Sequence, residues 1–356
     1  MYFETLEDLK AFAAAAAPGP SEQMMILVGD KSAHKLGELI DYLNSQNLRF
    51  FGGVFPGLLV KKQMKREGFI LKLLNPVYCG LVLPHLMRVK LDPETLSNTT
   101  GIFLADGLSS KMPDLADTVC RKLGTRVKYI GGGGGFYDLI HRPCIFDNKG
   151  TYKDAAYICV IKHDISLAVK HGWKKLEGPF FIKESEENTL IQLDDANAFE
   201  VYKHVIEEEE HITLFREDFF TYAKDHPFGI PTEDGSLIVR DPIGLNGNNE
   251  IICVADIPQG KDLYVLKGDA ETLLDSSKQI ASYCASIAPP NYFPVLFDCI
   301  SRAMFLEERF NEELANIQNQ LGFDVYGTLS IGEITSGDSG EMVIHNKSTV
   351  LGIIEL

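Results

Sequence analysis

A pattern that occurs three times along the chain restricts its fold more than any other feature. In each copy an apolar strand ends at an aspartate, a helical stretch follows, and a glycine-containing strand comes next. The aspartate precedes the glycine by 22, 25 and 29 positions, in the pairs Asp30 and Gly52, Asp106 and Gly131, and Asp298 and Gly327. These lengths fit one helix with its connections. The pattern predicts an α/β protein of two lobes, built from repeated strand-helix-strand-strand units with mixed β-sheets; three loose matches also fit the ordinary order of elements in α/β proteins.

Hydrophobic periodicity places the elements of these units. The first unit has predicted strands at Met24–Val28 and Phe50–Leu59, with Gly68–Leu74 as the hairpin partner of the second. The third unit has a predicted strand at Phe293–Phe297, a helix at Leu306–Leu321 and one further strand, Val325–Ile334. Strands of an open α/β sheet usually present ligand groups at their carboxyl ends, so the polar residues after these strands are candidate site residues.

A run of four glutamates, Glu207–Glu210, is the best candidate boundary, as a solvated linker or a helix end. We therefore predict an extension at 1–21, an N-terminal domain at 22–206 and a C-terminal domain at 207–356. After the boundary, Ser236–Arg240 and Ile251–Asp256 are predicted strands of one hairpin that turns at Asn246-Gly247-Asn248.

Charge and composition exclude several classes of function. The formal net charge of −16 argues against a nucleic-acid partner, because phosphate binding requires a clustered basic patch. No apolar stretch is long enough for a membrane span, and no signal peptide is recognisable, so no membrane insertion is expected. The seven cysteines lack C-x-x-C spacing, which favours reduced thiols and a cytoplasmic location.

Five consecutive glycines, Gly131–Gly135, resemble a phosphate-binding loop only superficially. Phe136-Tyr137 follows them, whereas a nucleotide loop opens a helix or ends in Lys-Ser/Thr. We predict a close backbone approach that lines a ligand cleft through Gly131, Gly132 and Gly133, with tight packing alone as the alternative.

Cys299 and His345 form the one candidate catalytic pair. With Glu333 or Asn346 to orient the imidazole, they would resemble the thiolate–imidazole arrangement of cysteine hydrolases and transferases. Neither lies in a diagnostic motif, and a cysteine at the end of an apolar strand also fits a small buried side chain. The scattered histidines form no metal motif, and we predict neither a metal site nor a cofactor.

Other polar residues at strand ends suit a small zwitterion. Arg302 and Glu333 offer opposite charges, and His345 and Asn346 add hydrogen-bonding groups. His171-Gly172-Trp173, which contains the only tryptophan, is either a cleft wall or an aromatic plug on a sheet edge.

Several of these motifs together resemble the FIST family, a sensory and signalling domain in two parts, FIST N and FIST C. The C-terminal resemblance lies in Val295 to Arg302, in Gly327 to Ile334 with its Gly-Glu-Ile ending, and in His345 to Thr349. The N-terminal resemblance lies in Phe51 to Gly57, Ile130 to Gly135, His171 to Trp173 and Ala196 to Tyr202. Gly57-Leu58-Leu59 departs from the family pattern, in which Gly-Glu-Ile often stands here.

The resemblance implies a protein that senses a small molecule, an amino acid or a related polar metabolite, in a cleft between the two halves, and passes the signal to an unidentified protein partner. No F-box is present, so the ubiquitin-ligase role of eukaryotic members is not expected. Two alternatives stay open: an enzyme that uses Cys299 and His345, and an adaptor that binds a protein through an exposed apolar patch.

Overall fold

The computed structural model describes residues 1–19, 21–233, 235–337 and 339–356. These residues form α-helices and β-strands in four sheets, and none of their helices combines the length and the apolarity needed to cross a membrane. The helices are α1 (Leu6–Ala16), α2 (Leu36–Ser45), α3 (Met112–Leu123), α4 (Ala198–Glu210), α5 (Phe219–Ala223), α6 (Ala270–Ile287), α7 (Ile300–Leu306) and α8 (Phe310–Leu321). The strands are β1 (Tyr2–Phe3), β2 (Gln23–Gly29), β3 (Phe50–Phe55), β4 (Gly57–Val60), β5 (Gln63–Lys65), β6 (Phe69–Leu74), β7 (Pro76–Leu81), β8 (Thr99–Asp106), β9 (Val127–Gly134), β10 (Ile145–Asp147), β11 (Gly150–Tyr152), β12 (Ala156–Ile161), β13 (Ile165–Lys170), β14 (Lys174–Glu186), β15 (Thr189–Leu193), β16 (Ala196–Asn197), β17 (Phe228–Pro231), β18 (Leu237–Arg240), β19 (Pro242–Leu245), β20 (Ile251–Cys253), β21 (Asp262–Lys267), β22 (Tyr292–Cys299), β23 (Tyr326–Ser330), β24 (Glu333–Ser336), β25 (Met342–His345) and β26 (Thr349–Glu355).

Three of the sheets share one architecture. Their strand orders are β1-β6-β2-β3-β10-β11 in sheet 1, β7-β12-β8-β9-β24-β25 in sheet 2 and β13-β26-β22-β23-β4-β5 in sheet 3. Each centre is a parallel pair joined through helices, β2 with β3, β8 with β9 and β22 with β23, and an antiparallel return strand follows on the same side. The predicted α/β fold with mixed sheets and repeated units is confirmed.

The three units interlock because each sends its hairpin into a neighbouring sheet. The first contributes β4 and β5 to sheet 3, the second contributes β10 and β11 to sheet 1, and the third contributes β24 and β25 to sheet 2. In every case the hairpin pairs antiparallel with the second strand of the host unit. Sheets 1 to 3 therefore close into a cycle of exchanged hairpins, here called the three-sheet ring.

A glycine marks the same position in each parallel pair. A Cβ on these glycines would lie 1.8–1.9 Å from a carbonyl oxygen of the adjacent parallel strand, for Gly52 with Ile26, Gly131 with Phe103 and Gly327 with Leu296. No side chain fits at such a distance. The repeated glycine of the sequence is thus a packing requirement of the ring.

The predicted strands Phe50–Leu59 and Val325–Ile334 are wrong as single strands. Each is two strands in two different sheets, divided at Pro56 in the first and at Ile331-Gly332 in the second. Proline lacks the N–H that a continuing ladder needs, and Gly332 has a φ of +86°, which few other residues adopt. The predicted hairpin partner at Gly68–Leu74 is also wrong, because β6 pairs with β1 and β2, whereas β4 pairs with β5.

Sheet 4 forms a second lobe with its own core. Its strands, β14 to β21, lie between the second and the third unit in the chain, and α4 and α5 pack on them through buried side chains that include Tyr202, Phe219 and Phe228. The predicted hairpin is wrong in its first strand: β20 pairs with β19, and β18 pairs with β17. The Glu207–Glu210 run forms the last turn of α4, so of the two interpretations the helix end applies.

Replacing Gly131 by alanine tests the packing requirement. We expect the Gly131→Ala variant to lose about 3 kcal/mol or more of unfolding free energy, because the added methyl group overlaps a backbone carbonyl that cannot move alone. Gly52→Ala and Gly327→Ala should lose similar amounts if the three units are equivalent. Urea unfolding followed by circular dichroism provides the measurement.

Gly37→Ala is the matched control. Gly37 lies within α2, and nothing stands within 4 Å of the place that an added Cβ would occupy, so this substitution should stabilise the protein by about 0.5–1 kcal/mol. A Gly131→Ala variant as stable as the wild type would contradict the close approach of the strands.

Candidate ligand-binding cleft

A cleft of about 570 Å³ lies where the three-sheet ring meets sheet 4. Its walls come from the end of β13, the connection to β14, the start of β18 and one side of α6, and from the ends of the β25–β26 connection. The volume is within the range of ligand pockets in proteins, roughly 300–1,000 Å³. Of the residues proposed from the sequence, Trp173 and His345 line this cleft.

His171 is a neutral hydrogen-bonding group of the wall. Burial, with the charge of Arg302 next in effect, lowers the pKa of His171 to about 4. Its Nδ1 accepts a hydrogen bond from the backbone N–H of Trp173 at 3.0 Å. In a neutral imidazole the proton must then be on Nε2, so His171 offers an N–H donor rather than a charge.

Trp173 is fixed in place from both sides. Its indole N–H donates to the carbonyl oxygen of Lys347 at 3.1 Å. The ring of Phe305 packs edge-on against the indole, with 5.2 Å between the ring centres. A Cβ on Gly268 would lie 2.2 Å from the indole, so only glycine leaves room for the ring. Trp173 is 3% exposed and borders the cleft.

Arg302 lies directly behind this wall and is completely buried. Its guanidinium donates two hydrogen bonds to Glu313 Oε1, at 2.8 and 3.2 Å, and lies 3.4 Å from Asp298 Oδ1. It also donates to two carbonyl oxygens, those of His171 and, at 3.1 Å, Leu273. The charge of Arg302 is therefore balanced inside the protein, and its donors hold the cleft wall and the first turns of α6 together.

Two acids, Asp298 and Glu313, lie beside Arg302 in this buried site. Burial, with the charge of Glu313 next, raises the pKa of Asp298 well above its usual value. Asp298 still accepts a hydrogen bond from the Thr349 hydroxyl at 3.0 Å. The raised pKa of Asp298 makes a second acid beside the ion pair of Arg302 and Glu313 easier to bury.

Glu333 lies deeper, on β24, and is also fully buried. Its carboxylate oxygens accept hydrogen bonds from the Ser330 hydroxyl at 2.9 Å and the Ser348 backbone N–H at 3.3 Å. Burial raises the pKa of Glu333 to about 8. At neutral pH the side chain is mostly protonated and does not offer a carboxylate to the cleft.

The predicted glycines meet Glu333 within sheet 2 rather than at the cleft surface. Gly132 is the residue opposite Glu333 in the pairing of β9 and β24. A Cβ on Gly132 would lie 2.7 Å from the Phe297 ring, and one on Gly133 would lie 2.0 Å from the carbonyl oxygen of Ile331. The structure thus brings the glycine run and Glu333 together but surrounds both with packed protein.

A buried lysine joins the two lobes. Lys347 Nζ lies 3.0 Å from Asp241 Oδ1 and donates to the carbonyl oxygen of Lys224 at 2.7 Å, so a side chain of the ring ends inside the lobe of sheet 4. Ser301 adds a hydrogen bond to Asp241 at 2.7 Å. The carbonyl of Lys347 is the one that holds Trp173, which links the lobe junction to the cleft wall.

Cys299 and His345 belong to different environments. Burial, with the charge of Glu333 next, raises the pKa of the Cys299 thiol well above its usual value. His345 Nε2 lies 2.8 Å from the Thr335 hydroxyl, and burial lowers the pKa of His345 to about 4. No hydrogen bond joins the thiol to the imidazole in the described part of the chain. Asn346 is also buried, with an Oδ1 that has no partner among the described residues.

Sequence reasoning missed three charged residues of this region: Glu313, Lys347 and Asp241. Glu313 lies on the apolar face of α8, three residues after Phe310 and four before Ile317, so a charged residue at that spacing was a usable signal. Asp298 lies at the end of β22 and Arg302 in the first turn of α7, so no helical spacing marked the two as an ion pair. Lys347 lies in a turn, with no pattern that marks it as buried.

One group in the described residues has the side chains of a metal site. Oxygen or nitrogen atoms of Asp106, His141 and Asp154 lie within 4.8 Å of one another. The group satisfies itself, because His141 Nε2 hydrogen-bonds Asp106 at 2.8 Å and the Ser109 hydroxyl donates to Asp154 at 2.7 Å. These contacts account for the cluster without an ion.

Comparison with known families supports the resemblance seen in the motifs. The family model of the FIST N domain matches residues 3–196, and that of the FIST C domain matches residues 198–336. FIST domains are sensory and signal-transduction domains for which small-ligand binding is suggested. No match is found among curated proteins. The matched regions together cover nearly the whole chain and all elements that build the cleft except the segment from β25 onwards.

Substituting Glu333 by glutamine tests its protonation. The pKa of Glu333 is about 8 in the folded protein, against 4.5 for the unfolded chain, so between these values only the folded state holds the proton. The wild-type unfolding free energy should therefore fall as pH rises from 4.5 to 8. In Glu333→Gln, the slope of unfolding free energy against pH should lack the contribution of about one proton. Urea unfolding at several pH values measures this slope.

Comparing the slopes of variant and wild type between pH 6.5 and 8 isolates the contribution of Glu333. His171 and His345, whose pKa values fall from 6.5 to about 4 on folding, change stability mainly below this interval and affect the variant and the wild type equally. Glu217→Gln, at an exposed position, is the control and should leave the slope unchanged. Equal slopes for Glu333→Gln and wild type would show that Glu333 is ionised in the folded protein.

Proposed function

Because the chain belongs to the FIST family, we propose that it is a sensory protein that binds a small polar metabolite in the cleft between the ring and sheet 4. The observation that carries this proposal is the direct bond from Arg302 to the cleft wall at His171. Through this bond, a shift in the position of the wall would alter the buried network of charges around Arg302.

The charges around the cleft favour an anionic or zwitterionic ligand. Lys170, Lys174 and Lys175 lie at the cleft, against one carboxylate, Asp275, in a chain whose net charge is −16. Lys170 donates to Gln279, and Lys175 lies 3.8 Å from the Tyr264 ring centre. No ion pair in the described part of the chain neutralises any of the three lysines. A ligand carboxylate would provide the missing negative charge.

An amino acid or a related metabolite fits this distribution of charge. Its carboxylate would face the lysines, and its ammonium group would face Asp275, of which one oxygen accepts from Gln279 at 2.5 Å. The neutral imidazole of His171 would donate from Nε2, and the indole of Trp173 would supply an apolar face. In this proposal Arg302, Glu333 and Gly131 to Gly133 act behind the wall, and His345 and Asn346 border it.

The signal would pass through the junction of the lobes. Trp173 is bonded to the carbonyl of Lys347, and the ammonium of the same lysine is held by Asp241 in the other lobe. A ligand that shifts the wall would alter the position of sheet 4 against the ring, and a protein partner would detect that difference. We place this partner and the ligand in the cytoplasm, consistent with seven free cysteines, none of which forms a disulfide within the described residues.

Tryptophan fluorescence tests the proposal without any label, because Trp173 is the only tryptophan and lies at the cleft. We expect at least one compound from a panel of the twenty amino acids, succinate and 2-oxoglutarate to change the emission of Trp173 saturably and to raise Tm. Lys174→Glu should lower the affinity for that compound by about tenfold or more, since it reverses a charge at the cleft.

Lys90→Glu makes the same charge change at an exposed position away from the cleft and should leave the affinity unchanged. The proposal fails if no compound of the panel changes either signal, or if Lys174→Glu and Lys90→Glu weaken binding equally. In the second case only the overall charge of the protein would matter, not the cleft.

A further inference from the structure

A second cavity, of about 320 Å³, lies between sheets 1 and 3 of the ring. Its walls come from β2 and β6 in sheet 1 and from β22 and β23 in sheet 3, together with the loop that follows α8. It shares no lining residue with the cleft proposed above. The cavity is therefore a separate space, formed where the faces of two sheets stand apart.

The walls of this cavity are apolar side chains of two facing sheets. Alternate residues of a strand point to one face, and the residues that meet here follow that alternation. Met25, Leu27 and Ile70 come from sheet 1, and Val295 and Phe297 from sheet 3, all of them buried. Tyr292 and the exposed ring of Phe323, whose centres lie 5.0 Å apart, are at the mouth.

Two cationic groups interrupt this apolar surface: the terminal amino group of Met1, which donates to the Leu71 carbonyl oxygen at 2.9 Å, and the side chain of Lys72. Lys72 follows Ile70 by two positions on β6, so its side chain belongs to the same face, and its Nζ lies 3.9 Å from the centre of the Phe293 ring. Burial lowers the pKa of Lys72, and no carboxylate acts against that effect. Asp324, the one acid at the cavity, is 2.9 Å from Lys61 instead.

A half-buried ammonium group without a carboxylate partner is unfavourable unless something supplies the opposite charge. The Phe293 ring compensates in part, since a cation over an aromatic face gains some energy. No ion pair involves Lys72 among the residues that the structure describes. The cavity therefore combines an apolar space with a positive charge that lacks its counterion.

We propose that this cavity binds a small apolar carboxylate, with its hydrocarbon part between sheets 1 and 3 and its carboxylate on Lys72. The chemistry follows from both features: the walls remove hydrocarbon surface from water, and the ammonium group forms a charge-assisted hydrogen bond. A polar amino acid would leave its second charge unpaired in this cavity. The site is thus separate in location and in ligand chemistry from the lysine-rimmed cleft.

Isothermal titration calorimetry of the full chain with octanoate and octanamide tests this assignment. These probes have the same chain and differ in charge, so octanoate should bind saturably with one site per chain and at least about tenfold more tightly than octanamide. Lys72→Met should remove the difference between the two probes, while Lys72→Arg should keep it. Lys72→Met should also retain or raise Tm, because it replaces an unpaired cation by an apolar side chain of similar length.

Two further variants and a spectroscopic readout complete the test. Phe323→Ala should lower the affinity for both probes by a similar factor, since it removes part of the apolar wall and no charge. Lys90→Met should change neither affinity. Octanoate should leave the emission of Trp173 unchanged, which separates this site from the proposed sensory cleft. The absence of saturable octanoate binding, equal affinity for both probes, or a Lys72→Met variant that still prefers octanoate would overturn the proposal.

Discussion

The bonds of Arg302 are the interaction on which the geometry of the cleft depends. One guanidinium connects Asp298 at the end of β22, Glu313 on α8, and the carbonyls of His171 and Leu273. These groups come from four separate segments of the chain, and only a planar side chain with several donors can satisfy them at once. Full burial makes the arrangement demanding, because loss of one partner leaves a charge unpaired in a medium that solvates it poorly. The cleft wall is thus held from inside the protein.

The ring explains how residues from distant segments reach this point. Each unit sends a hairpin into the next sheet, so the pairing of β24 with β9 brings Glu333 opposite Gly132. The same exchange places the segment after β25 between the ring and sheet 4, where Lys347 reaches Asp241. The site is therefore a product of the exchange between units, and no single unit contains it.

The sequence predicted the units well because their signals are local. Apolar runs, helical periodicity and the spacing from aspartate to glycine lie within about thirty residues, and β2, Gln23–Gly29, extends the predicted strand Met24–Val28 by one residue at each end. The crossings at Pro56 and Gly332 were missed because a strand that changes sheets has the same alternation on both sides of the break. Strand continuity is a property of the partners, and the partners are far away in the chain.

The candidate site was predictable only in part, for a similar reason. Trp173 and His345 were named from their positions after strands, and both line the cleft. Arg302 was also named from a strand end, but it lies in the first turn of α7, and the sequence does not show that Glu313 and two backbone carbonyls surround it. Whether an arginine faces a ligand or an internal acid depends on tertiary contacts that no local pattern encodes.

Hydrogen–deuterium exchange of Arg302→Lys tests the central claim most directly. Lysine keeps the charge, but its single ammonium group cannot replace the forked contacts of arginine to an acid and two carbonyls. The account predicts faster amide exchange in peptides that cover 169–175 and 271–277, with exchange in 24–29, within sheet 1, unchanged from wild type. Unchanged exchange in the first two peptides, or an equal increase in all three, would contradict the claim that Arg302 holds the cleft wall.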